Sequence, residues 1–157
     1  MSDSRILEMV DIFSDLTPDQ LKLIYSVCKE KVYNKGDLII QEHTPNTDFY
    51  VLLDGEVEVI VQVAENNPPR RIASMDRGHS FGEVALVDQG LRTASIRCIS
   101  KTCRVFEINR EDLMRILREN LEMGFAVMYN LAVDMCWKIR QAQYMAQDGV
   151  LYAPRQG

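Results

Sequence analysis

Positive charge, metal-ligating side chains and long apolar runs are all scarce in this sequence. Its 157 residues carry 18 Lys and Arg against 23 Asp and Glu, a formal net charge of -5. A balance of that sign excludes the broad basic face that would hold a nucleic acid or an anionic membrane. The apolar stretches, residues 50–53 and 57–63 among them, are short or broken by charge. The N-terminus opens with Asp3, Arg5 and Glu8 where a secretory signal would place an apolar segment. A soluble, cytoplasmic protein is the expectation. Histidine is limited to His43 and His79, and the four cysteines, Cys28, Cys98, Cys103 and Cys136, show no C-x-x-C spacing. No metal site and no cofactor are expected, and no nucleophile or acid–base constellation marks an enzyme.

What is present suits one domain, because 157 residues at 46% hydrophobic fill a single core and two cores would each be undersized. Residues 1–157 are read as one unit, with N-terminal helices over 1–31, a β-core over 32–108 and C-terminal helices over 109–147. Ile6, Met9, Val10, Ile12 and Phe13 recur at helical spacing, and Thr17-Pro18-Asp19-Gln20 has the form of a capping box with Pro at the first helical position. From Val32 the rhythm changes to short β-rich runs separated by Asn34-Lys35-Gly36-Asp37, Asp54-Gly55, Asn66-Asn67-Pro68-Pro69 and Asp76-Arg77-Gly78. Val57, Val59, Val61 and Val63 share one face of a strand opposite Glu58, Ile60 and Gln62, and Asp54-Gly55 before it fits a tight hairpin. Residues 95–99 and 104–108 supply two further strands, after which Asn109-Arg110-Glu111-Asp112 opens a helical region that breaks near Asn120. The fold class is α+β, mainly β: an antiparallel jelly roll, or double-stranded β-helix, flanked by helices at both ends.

In the last helix Leu121, Phe125, Met128, Ala132, Met135, Ile139, Ala142 and Ala146 alternate steps of four and three, the repeat of a coiled-coil seam. A symmetric homodimer follows, and packing of the same stripe on the chain's own core is the competing reading. Leu131, Cys136 and Trp137 lie off the seam, so one helix has room for both.

Residues 78–95 carry the chemistry: Gly78-His79-Ser80-Phe81-Gly82-Glu83-Val84-Ala85-Leu86, then Val87-Asp88-Gln89-Gly90-Leu91-Arg92-Thr93-Ala94-Ser95. A strand running through Phe81-Gly82-Glu83 into a helical turn presents backbone N–H groups that attract a phosphate. Gly82 and small Ala85 allow the main chain close to a ligand. Arg92 supplies a planar fork of donors that lysine does not reproduce.

This stretch resembles the phosphate-binding cassette of the cyclic-nucleotide-binding domain family. The resemblance continues through Phe13-x-Asp15-Leu16-Thr17, Tyr33-x-Lys35-Gly36-Asp37-x-Ile39-Ile40, Asp48-x-Tyr50-Val51-Leu52 and Gly55-x-Val57-x-Val59. It implies that Phe81, Gly82, Glu83, Ala85, Arg92, Thr93 and Ala94 bind cAMP or cGMP. Arg92 takes the cyclic phosphate, Glu83 accepts from the ribose 2′-hydroxyl, and Thr93 adds a hydroxyl that leans toward cGMP. Two departures touch loop rigidity: Leu91 stands where proline is common, and residues 41–46 lack the glycine that often follows the glutamate.

Val59 and Ile72 are expected in the wall on the purine side. Trp137 either caps the base or packs in the core, and Arg140 is a second candidate for the cap. The functional expectation is a cyclic-nucleotide sensor whose last helix moves and signals to an effector protein. Three alternatives stand beside it: a ligand-independent scaffold, an ordinary internal ion pair of Glu83 with Arg92, and a cyclic-dinucleotide binder. Residues 148–157 are too few for a winged helix-turn-helix, so DNA reading in cis is not expected.

Overall fold

The computed structural model describes residues 3–147, and residues 148–157, on which the expectation about DNA reading rests, lie outside that range. Two four-stranded antiparallel sheets face each other, with helices covering one outer face. The first sheet has the order β1 (Cys28–Asn34), β8 (Thr102–Ile108), β3 (Phe49–Asp54), β6 (Ser80–Phe81). The second has the order β2 (Leu38–Ile40), β7 (Ser95–Cys98), β4 (Val57–Val61), β5 (Arg70–Met75). This is the jelly roll expected from the turn spacing, with its first strand starting at Cys28 rather than Val32.

Strand β3 explains the arrangement. Its run Phe49-Tyr50-Val51-Leu52-Leu53 is buried throughout, as a strand covered on both faces must be. Tyr50 and Leu52 point between the sheets with Ile40, Val57, Phe81, Ile96 and Val105. Phe49, Val51 and Leu53 point the other way, into a second core built with the helices.

Asp54-Gly55 is a correction. Gly55 does take a positive φ of 92°, but β3 and β4 belong to different sheets and do not pair. The dipeptide turns a corner between layers instead of closing a hairpin. An added Cβ there would stand 2.5 Å from the Thr102 carbonyl oxygen, so glycine answers both to the backbone and to the crowded corner.

The N-terminal residues also differ from an ordinary helix, forming 3-10 segments over Asp3–Met9 and Asp11–Phe13. Helix α1 (Pro18–Tyr25) begins with the expected capping box: Gln20 N–H donates to Thr17 Oγ1 and Thr17 N–H donates to Gln20 Oε1. Helix α2 (Arg110–Glu119) is capped by the Asn109 side chain, and Asn120 separates it from α3 (Leu121–Gln147).

Helix α3 packs on its own chain through Met123, Val127 and Leu131, a stripe with a period of four. The expected seam lies about a third of a turn away, at roughly 100° per residue. Met128 and Met135 lean on the core from its edge. Leu121, Phe125 and Ile139 face solvent at 77%, 73% and 58% exposure. Tyr129 stacks on Phe125 with centroids 5.9 Å apart. The helix thus has a core face and a separate exposed apolar face. The side chain of Ala146 lies outside the described residues.

On the outer side of the second sheet, Glu58 is buried between two arginines. Arg97, its register partner on β7, and Arg71 on β5 both donate to its carboxylate, Arg71 at 2.6 Å. Burial pushes the Glu58 carboxyl up, but the bonds from Arg97 and Arg71 outweigh it and hold the group below its usual range. A depressed carboxyl contributes stability above its unfolded pKa, about 4.3, that is lost as pH falls through the folded value. Glu58→Gln should therefore melt below wild type at neutral pH. The gap should narrow progressively as pH falls below about 4.3, followed by circular dichroism.

Candidate functional site

Between β4, β5, β6, β7 and the loop after β6 lies a cavity of about 410 Å³, within the roughly 300–1,000 Å³ usual for small-ligand pockets. Phe81, Gly82, Glu83, Ala85, Arg92, Thr93 and Ala94 all line it, together with Val59 and Ile72. Residues separated in sequence by the cassette loop thus converge on one space.

The floor is set by local chemistry. Phe81 is buried and stacks on Tyr50 at 5.2 Å, fixing the end of β6. Gly82 then turns with φ 85° into a 3-10 segment, Glu83–Leu86. Its first amides have no acceptor inside so short a turn. A Cβ on Gly82 would lie 2.8 Å from the Asp48 carbonyl oxygen and 3.0 Å from Arg92 Nη1. Ala85 is buried, Ala94 half-buried and Thr93 exposed at the mouth.

Arg92 is the unusual group. Its side chain is only 6% exposed, yet no carboxylate among the described residues lies within ion-pair distance of it. Nη1 donates to the Gly82 carbonyl at 3.3 Å, and Nη2 donates to Asn46 Oδ1 at 3.0 Å and to the Asp48 carbonyl. Of the five guanidinium N–H donors, these use three. Nε is buried with no partner. Burial lowers the Arg92 pKa, with Tyr50, Asp48 and Glu83 acting in opposition. A buried cation held by neutral oxygens is a site short of one anion.

The alternative reading, an internal pair of Glu83 with Arg92, is not met. Glu83 Oε1 instead accepts from Lys138 Nζ of α3 at 2.9 Å, and Lys138 also lies 2.9 Å from Asp134 Oδ2. Burial draws the Lys138 ammonium down, but Glu83 and Asp134 more than reverse it, so its pKa is raised. Lys138 is the α3 residue on the cavity wall. Trp137, 60% exposed, and Arg140 do not line it, so Trp137 neither caps this cavity nor packs in the core. A second link binds the other end of the turn: buried Arg110, first residue of α2, donates through Nε to the carbonyls of Ala85 and Leu86 at 3.2 and 3.1 Å.

Lys138, Arg110 and Asn46 carry no local signal in the sequence. The one hint was the i, i+4 spacing of Asp134 and Lys138 on a helix already expected.

A double-sheet jelly roll thus presents to a small cavity a glycine turn and a buried arginine that, among the described residues, has no carboxylate at ion-pair distance. The model of the cyclic nucleotide-binding domain matches residues 30–120, and the chain belongs to that family. It is 33% identical over 117 residues to the Drosophila melanogaster cGMP-dependent protein kinase, isozyme 2 forms cD5/T2. That alignment covers 73% of this chain and 12% of the kinase, so the chain spans about an eighth of that relative. Among solved structures, the Thermus thermophilus catabolite activator protein superposes with a TM-score of 0.75 at 26% identity, covering 87% of this chain and 62% of that one. The regulatory domain of Toxoplasma gondii PKA with cAMP shares the fold, with a TM-score of 0.66 at 24% identity over 72% of this chain and 42% of that one. Among the described residues no helix is long and apolar enough to cross a membrane, and no cluster of side chains is arranged to hold a metal ion.

Gly82→Ala should cost about 1–3 kcal/mol in the protein without ligand, through left-handed strain and displacement of the Asp48 carbonyl. Gly36 has a similar φ of 93° but open space around it, so Gly36→Ala serves as the milder control. Urea denaturation of the two variants measures the difference.

Proposed function

We propose that this domain is a cyclic-nucleotide sensor, binding cAMP or cGMP in the 410 Å³ cavity and passing the signal through α3. The observation that carries the reading is Arg92, a buried guanidinium with an unpartnered Nε and, among the described residues, no carboxylate at ion-pair distance. A cyclic phosphodiester supplies one negative charge on two exocyclic oxygens, matching the donors Arg92 has left. Gly82 and Ala85 bring main-chain amides to the phosphate, and Thr93 adds a hydroxyl. Glu83, an acceptor-only carboxylate, takes the ribose 2′-hydroxyl. The purine lies toward Val59 and Ile72. A scaffold with no ligand would have little reason to bury an uncompensated arginine.

Domains of this kind bind and signal without catalysis, and we assign no reaction to the site. The route to α3 runs through Lys138. It holds the same Glu83 that the ribose engages, so any shift of the cassette turn on binding reaches α3 directly. Arg110 carries the same movement to α2. A shifted equilibrium between docked and released α3 is the output, read by an effector protein or by the partner in a homodimer. The exposed face of α3, with Leu121, Phe125 and Ile139, is the surface we assign to that homodimer.

Titration calorimetry with cAMP and cGMP tests the ligand. Both parent nucleotides are to be compared with their 2′-deoxy analogues. Arg92→Ala should lose at least about 100-fold in affinity, since hydrogen bonds to charged groups are worth roughly 1.5–3 kcal/mol each. Glu83→Gln should narrow the preference for the ribose form. Saturation at about 100 times Kd should stabilise the wild type by roughly 2.7 kcal/mol, a melting shift of several degrees. No heat and no shift with either nucleotide would sink the proposal.

Assembly has its own test. Sedimentation at micromolar concentration should give a dimer for wild type and a monomer for a Phe125→Lys, Ile139→Lys variant, because charges on an apolar seam are not tolerated. A monomeric wild type would remove the dimer and leave the nucleotide site standing.

A further inference from the structure

We propose that Cys98 and Cys103 form a dithiol that closes to an intramolecular disulfide, a modification site at the corner where the two sheets meet. Cys98 ends β7 in one sheet and Cys103 is the second residue of β8 in the other. Their sulfurs lie 2.7 Å apart, inside ordinary non-bonded contact at about 3.5–4 Å. Forming a bond of about 2.05 Å requires only a small approach. Both side chains are sealed from solvent. Cys103 Sγ lies 3.1 Å from the Glu56 carbonyl and 3.4 Å from Ser100 Oγ, and Cys98 Sγ lies 3.4 Å from the Ser100 carbonyl. The remaining cysteines are placed differently: Cys28 on β1 donates to the Ile24 carbonyl, and Cys136 is exposed on α3.

This surrounding makes the pair slow to oxidise and firm once closed. Burial, together with the neighbouring Cys103 and Asp37, pushes the Cys98 thiol up to about 12, and the thiolate is the reacting species. Oxidation therefore needs a brief opening of the corner at residues 99–102, of which Lys101 and Thr102 face solvent. The oxidant is a low-molecular-weight disulfide. One cysteine thiolate attacks it, a mixed disulfide forms and one small thiolate leaves. The second cysteine then attacks the protein sulfur of that intermediate. The Cys98–Cys103 bond forms and the other small thiolate departs. Two electrons pass from the pair to the oxidant, whose two halves leave as thiols carrying the two protons.

Closure joins the two sheets covalently at the corner packed beneath Gly55, where Cys103 and Ser100 already fill the space a side chain would need. The pair shares its core with Phe81, Ile40 and Ile96, which line the nucleotide cavity, but neither cysteine reaches that cavity. The bond therefore stiffens the sandwich and leaves the cavity unchanged.

The test uses the full chain carrying Cys136→Ser, which removes the exposed competitor. The protein is incubated with oxidised glutathione at about pH 9 and in urea below the unfolding midpoint, conditions that favour the thiolate and the open corner. It is then denatured, alkylated and weighed intact and after proteolysis. The expected result is a loss of about two mass units from two hydrogens, one alkylated thiol at Cys28, and a peptide linking Cys98 to Cys103. Melting temperature should rise by a few degrees and fall back with reductant. Three alkylated thiols, or a linkage through Cys28, would overturn the proposal. Nucleotide affinity should stay within about threefold, a comparison that uses the fold-change scale of roughly 1.4 kcal/mol per decade; a larger loss would contradict the separation of corner from cavity.

Discussion

The structure turns on one buried cation. Arg92 sits inside the domain on neutral oxygens from Gly82, Asn46 and Asp48, with Nε unpartnered. Such a group costs the fold several kcal/mol of desolvation, and among the described residues no ion pair offsets it. Its neighbours answer to it: Gly82 has no Cβ because the Asp48 carbonyl and the guanidinium occupy that space. Stacking of Phe81 on Tyr50 sets the height of the turn from which Gly82 leaves. An anion arriving beside an arginine in this state would gain the electrostatic energy the fold has left unused.

Around that cation the cassette turn is fastened at both ends by charged side chains from different helices. Lys138 of α3 holds Glu83 at its start, and Arg110 of α2 holds the Ala85 and Leu86 carbonyls at its finish. Leu86 itself is fully buried in the core shared with α2 and α3. A four-residue segment fixed this way cannot shift alone. Any displacement of that segment would alter its contacts with α2 and α3 together.

Much of this was legible in the chain because the signals are local. The capping box at Thr17, the positive φ at Gly55, the cap at Asn109 and the break at Asn120 all depend on neighbours within a few residues. The cassette residues were legible for a related reason, since their types recur at fixed offsets within one loop. What escaped depends on distant contacts. Gly55 looked like the tip of a hairpin because its conformation is local while the sheet that β4 joins is not. Glu83 looked available to Arg92, and only the docking of α3 shows Lys138, 55 residues away, in that place. Trp137 looked like a cap or a core residue from its size, but its position on α3 turns it to solvent.

Helix α3 joins these themes because its two apolar faces serve different ends. Met123, Val127 and Leu131 belong to the core and hold the helix to its own chain. Leu121, Phe125, Tyr129 and Ile139 belong to no core in the single chain. Lys138 continues the core-facing side of α3, so the residue that pairs with Glu83 lies on the same side of the helix as Met123, Val127 and Leu131 and away from the exposed apolar face. Rotation of α3 as a rigid body would move both together, because side chains on one helix keep their angular separation. The Glu83–Lys138 pair and the direction in which the apolar face points are then both set by one helix orientation. By linkage, were a ligand at the cavity to bias that orientation, whatever fixes it from outside would change affinity at the cavity by the same factor.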